Sequence, residues 1–89
     1  MARKEPLRIT SPPDGAVYLR DPTLRAAFQT VPLRAAGAPG SELRWEVDGA
    51  SVGASAPDRT PDWPLRSGTH TIEVTDGEGQ RDQTTIVVR

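Results

Sequence analysis

Cysteine is absent from this 89-residue chain, so no disulfide braces it and no thiol serves as nucleophile or metal ligand. That absence leaves the compartment open, because many exported domains also lack cysteine. Aromatic residues are scarce, with only Tyr18, Phe28, Trp45 and Trp63 present. The hydrophobic fraction is 35%, which limits the chain to a single thin core of the kind two stacked sheets enclose. No run approaches the roughly 18 apolar residues of a membrane span. Met1-Ala2-Arg3-Lys4-Glu5 is too polar for a signal-peptide core, so an exported parent would have to be longer than this chain. Charge of one sign is missing too. Eleven basic and twelve acidic residues give a net charge of −1 without clusters, which argues against long-range steering toward nucleic acid or an anionic membrane, and no direct membrane insertion is expected.

Turn formers are what the chain has in plenty. Nine prolines and eight glycines divide it into short extended segments rather than long helices. The central segment is Leu43-Arg44-Trp45-Glu46-Val47-Asp48-Gly49. Leu43, Trp45 and Val47 alternate with Arg44 and Glu46, the period of a half-buried strand, and Asp48-Gly49 is the pair that tight hairpin turns prefer. Ala50-Ser51-Val52 is its short return arm.

Leu7 to Ser11 reads as an opening strand, broken by Pro12-Pro13-Asp14-Gly15. Ala16 to Leu19 is extended again, Thr23 to Phe28 has some helical propensity, and a strand follows from about Gln29 to Ala35. Ala36 to Ser41 and Gly53 to Asp62 read as loops, the second a mobile one. Trp63-Pro64-Leu65 is a brief strand and Arg66-Ser67-Gly68 a turn. His70, Ile72 and Val74 share one face of the next strand, which ends at Asp76 before the Gly77-Glu78-Gly79 turn. Thr84, Ile86 and Val88 share a face of the last strand. The pattern predicts an all-β, immunoglobulin-like β-sandwich of about seven short antiparallel strands. Residues 6–89 form one domain, and residues 1–5 are an artificial start or a linker.

His70 is the only histidine, and catalysis would require it to have an orienting carboxylate and a nucleophile or substrate nearby. In phase with Ile72 and Val74, it reads instead as a packed histidine at the start of a strand. Without cysteine or further histidine it cannot build a zinc site. Asp14, Asp48, Asp76 and Glu78 each lie beside glycine in a turn, where carboxylates accept local backbone hydrogen bonds, and their spacing is not that of a calcium loop. No metal or cofactor is expected. Glu46 and Glu73 are solvated sheet charges, and none of the dispersed serines lies in a nucleophile elbow, so the chain reads as non-enzymatic. Trp63, with Arg66 and Tyr18, is the candidate binding set, an aromatic platform for sugar rings or a partner protein. Against this stands the scarcity of aromatics, which favours Trp63 packing on Trp45. The last strand, Thr84 to Arg89, reads as a sheet edge blunted by Arg81, Asp82 and Arg89, and a monomer is expected.

Four spaced phrases carry a resemblance: Leu7-Arg8-Ile9-Thr10-Ser11-Pro12-Pro13-Asp14-Gly15-Ala16, Leu43 to Gly49, Trp63 to His70, and Val74-Thr75-Asp76-Gly77-Glu78-Gly79. In this order and at these separations the chain resembles the C-terminal domain of the bacterial penicillin-binding protein 1C family. The resemblance makes Trp45, Asp48, Gly49, Gly68, His70, Asp76 and Gly79 structural motif residues. It implies an accessory module of a bifunctional peptidoglycan synthase that is anchored in the inner membrane, with the module on the periplasmic face. The family's catalytic residues lie in other domains, so none is carried over. The implied partners are a periplasmic protein or the module's own transpeptidase domain, with peptidoglycan binding and a plain spacer role as alternatives.

Overall fold

A computed structural model describes residues 6–37, 42–55 and 61–89. Among them run nine strands: β1 (Arg8–Ser11), β2 (Val17–Tyr18), β3 (Thr30–Pro32), β4 (Arg34–Ala36), β5 (Leu43–Val47), β6 (Ala50–Ser55), β7 (Asp62–Pro64), β8 (Gly68–Thr75) and β9 (Arg81–Val88). One sheet has the order β2-β9-β8-β5-β6. The other layer consists of two short ladders, β1 with β4 and β3 with β7.

Proline explains why that second layer is broken. Pro32 has no N–H to continue the ladder, and the next residue, Leu33, is fully buried and donates its own N–H to Pro61 O at 2.9 Å. β3 and β4 are therefore two halves of the strand expected from Gln29, and each half takes a different partner. The result is the expected all-β sandwich.

Alternation places the core between the layers. Leu43, Trp45 and Val47 are buried on β5 while Arg44 and Glu46 are exposed, and Trp45 has no accessible surface at all (0%). Ile72, Val74, Ile86 and Val88 continue this face, met from the other layer by Ile9, Val31, Leu33 and Trp63.

The turns are held by acids, each acting in its own place. Asp48 (φ 53) and Gly49 (φ 82) both take positive φ, the two-residue turn whose twist matches the β5 and β6 strands it joins. Asp76, buried in the β8–β9 turn, accepts the N–H groups of Glu78 and Gln80 at 2.9 and 2.8 Å. Asp14 accepts Thr85 N–H at 2.8 Å.

Several expectations are corrected. β2 runs parallel to β9, pairing Val17 with Val87 and Tyr18 with Val88, so the last strand is not an edge. Asp82 does not guard an edge either; its carboxylate accepts Ile9 N–H at 2.9 Å and fastens β1. The expected helix from Thr23 is a single 3-10 turn, Ala26–Phe28, preceded by the extended residue Arg25 (ψ 144). Such a short segment cannot offset the cost of helix nucleation. Of the expected loops, Ala36 belongs to β4, Gly53 to Ser55 to β6 and Asp62 to β7, while 38–41 and 56–60 lie outside the described residues.

Candidate binding depression around His70

The β5–β6 hairpin and the segment leading into β8 enclose a depression of about 340 Å³. Val47, Asp48, Ala50, Ser51 and Val52 line one side; Trp63, Arg66 and His70 line the other. Strand register makes this meeting inevitable. β5 pairs with β8 so that Val47 faces Ile72, which places the Asp48 turn beside Thr71 and His70.

Asp48 bonds to that strand three times. Its N–H donates to Thr71 O at 2.9 Å, its Oδ1 accepts Thr71 N–H at 2.9 Å, and its Oδ2 lies 2.6 Å from His70 Nδ1. The other ring nitrogen, Nε2, lies 2.7 Å from Arg66 O. A carboxylate and a carbonyl are both acceptors, so this geometry favours the doubly protonated imidazolium, the form in which both ring nitrogens donate. Burial pulls the His70 pKa down, but the Asp48 carboxylate together with the Arg66 and Ser67 carbonyls outweighs it and holds the pKa above its ordinary value. Asp48 moves the opposite way. The His70 hydrogen bond, then the Thr71 N–H, keeps its carboxyl below the usual range.

Trp63 lies against this histidine, with ring centroids 4.8 Å apart in an edge-on arrangement at 66°. Gly68 sits between them in the chain at φ 122, a conformation that L side chains rarely adopt.

The sequence-derived binding residues are thus separated. Trp63 and Arg66 share the depression, whereas Tyr18 lies half-buried on β2 and takes no part in the lining. Burial pushes the Tyr18 phenol up. Trp63 is only 6% exposed, so it does not offer the open face of a platform. Trp63 is packed inward, as the scarcity of aromatics favoured, in the same core as Trp45, and its ring meets His70. Sequence reasoning left His70 without a carboxylate partner. The signal was there in the Asp48-Gly49 turn, once β5 is paired with β8; the role of the Arg66 carbonyl had none.

The arrangement is suited to holding rather than reacting. Both His70 nitrogens are engaged, and what faces a visitor is the half-exposed Asp48 carboxylate, the exposed Arg66, Ser51 and the small accessible part of Trp63. Among the described residues no helix is long and apolar enough to cross a membrane.

Comparison with known proteins gives three findings. The fibronectin(III)-like modules of CbhA from Clostridium thermocellum match at a TM-score of 0.59 and 22% identity, over 94% of this chain and 46% of that one. This likeness concerns the fold alone, and the chain spans less than half of the protein it matches. Curated proteins give no match. The model of the Penicillin-Binding Protein C-terminus Family matches residues 1–88.

Proposed function

Because the chain belongs to the Penicillin-Binding Protein C-terminus Family, we propose that it is a non-catalytic accessory module that docks on the catalytic part of its own synthase or on another periplasmic wall-synthesis protein. Membrane anchoring and wall-building chemistry belong, in this reading, to the rest of the parent protein. The observation that carries it is the state of His70, the chain's one histidine. Asp48 gives it an orienting carboxylate, but Nε2, the nitrogen that would have to meet a substrate, is taken by the Arg66 carbonyl, so the ring holds two segments together.

The surface itself supports docking. Among the described residues β6 is an outer strand of the five-stranded sheet, and Ala50 to Ser55 carry neither charge nor proline; one register shift, opposite Trp45 and Glu46, interrupts its ladder. An extended segment laid along β6 would place a side chain in the adjoining depression and a carboxylate within reach of Arg66.

The experiment is binding of the immobilised chain to the purified catalytic portion of the parent protein. Saturable binding that is lost with Arg66→Glu or Ser51→Arg in a folded variant supports docking. Undiminished binding by both variants contradicts the proposed surface.

Glycan binding is the second reading, favoured by Trp63 lining the depression beside Arg66, Ser51 and Asp48. It predicts that purified sacculi retain the chain and that Trp63→Leu releases it; retention unaffected by Trp63→Leu would rule this site out.

A further inference from the structure

Leu19, Leu24 and Phe28 lie in the connection between β2 and β3, and all three are exposed, at 78%, 49% and 74%. In a chain with so little apolar material this is an unexpected use of it. The connection is nonetheless firmly built. Gln29, buried at its base, accepts Asp21 N–H through Oε1 and donates from Nε2 to Asp21 O at 2.7 Å and Leu24 O at 3.1 Å. Backbone bonds Leu24 N–H to Asp21 O (3.2 Å) and Phe28 N–H to Arg25 O (3.0 Å) close its turns. Its ends are fixed to the sandwich through Arg20 N–H to Arg89 O (2.7 Å) and Leu65 N–H to Gln29 O (2.8 Å).

Charge completes the pattern. Arg20 and Arg25 are exposed within the loop and exposed Arg89 adjoins it. The loop's one acid, Asp21, engages Oδ1 with the N–H and hydroxyl of Thr23 at 2.9 and 2.6 Å. The near-neutral charge of the whole chain conceals this local excess of guanidinium. A loop braced from within by Gln29 and Asp21, and which presents aliphatic and aromatic carbon among arginines, suits a partner that offers apolar surface and negative charge more than directional hydrogen bonds. It needs an apolar layer beneath an anionic one.

We propose that the Leu19–Phe28 loop is an interfacial anchor that seats on an anionic phospholipid surface. Phe28, Leu19 and Leu24 enter the acyl boundary, and Arg20, Arg25 and Arg89 remain at the phosphates. The module is thereby oriented against the bilayer without spanning it. This goes beyond the docking reading and does not depend on it.

Co-sedimentation of the full chain with vesicles tests it, using an equimolar mixture of phosphatidylglycerol and phosphatidylcholine beside phosphatidylcholine alone. The chain pellets with the anionic vesicles and far less with the neutral ones, and the binding weakens as salt is raised. Phe28→Ser and Leu19→Ser each weaken partitioning roughly tenfold. The double variant Arg20→Gln/Arg25→Gln abolishes the preference for anionic lipid. Thermal melts show all variants folded, since the altered side chains are exposed. Absence of pelleting, or pelleting unchanged in the Phe28 and Leu19 variants, overturns the proposal. So does capture of the chain by the purified catalytic portion through these same side chains without vesicle binding, which would make the loop a protein-docking surface.

Discussion

His70 donates from both ring nitrogens, and this fixes the sign of its contribution to stability. A histidine whose folded pKa is raised contributes fully below its unfolded value and loses that contribution as pH rises through the folded one. Asp48, whose folded pKa is lowered, contributes above its unfolded value and loses it as pH falls through the folded one. The pair therefore stabilises most between about pH 4 and about pH 6.5. His70→Gln should lower the melting temperature in that window, and the deficit should shrink as pH rises through the raised folded pKa of wild-type His70. Melting curves of both proteins across pH check this. A second residue points the other way. Thr84 is buried with no hydrogen-bond partner for its hydroxyl, so Thr84→Val removes an unsatisfied polar group at nearly constant shape. Denaturant unfolding should show it unchanged or more stable by about 1 kcal/mol. The face that His70 occupies was legible from its phase with Ile72 and Val74. Its partner was not, because periodicity describes one strand at a time and a side-chain pair across strands depends on register.

Among the elements, the hairpins were the most legible and the broken layer the least. Asp48-Gly49 and Gly77-Glu78-Gly79 announce their turns because positive φ favours few residue types. Nothing lies within 4 Å of a Cβ placed on Gly49, so Gly49→Ala tests backbone strain without a clash. It should cost about 1 kcal/mol in denaturant unfolding, with the m-value unchanged. The switch of partners at Leu33 and the parallel docking of β2 on β9 depend on long-range geometry. Pro32 signalled a gap in the ladder without saying which strands would stand on either side of it. The Gln29 brace was equally hidden, since nothing local distinguishes a buried amide from a solvated one. Gln29→Ala should leave Asp21 N–H and the Asp21 and Leu24 carbonyls without this partner, and amide exchange of residues 21–28 should quicken while β8 and β9 stay protected.

At the scale of the molecule, a thin two-layer sandwich stands on the deeply buried Trp45, Leu33 and Ile72, and its distinctive chemistry is displayed outward. The fold class was readable from alternation and turn spacing. The family was readable from four spaced phrases. Of the candidate binding residues, Arg66 and Trp63 do meet and Tyr18 lies elsewhere; that Trp63 packs inward was itself readable, from the scarcity of aromatics. The account as a whole rests on this being a docking module. It is tested most directly by titrating the folded chain into the purified catalytic portion of its parent protein in a calorimeter. The prediction is saturable one-to-one binding, lost with Arg66→Glu while the variant's melting temperature is kept. A flat titration with the folded wild-type chain, together with no retention by any purified periplasmic wall-synthesis protein, would contradict docking and leave a spacer in its place.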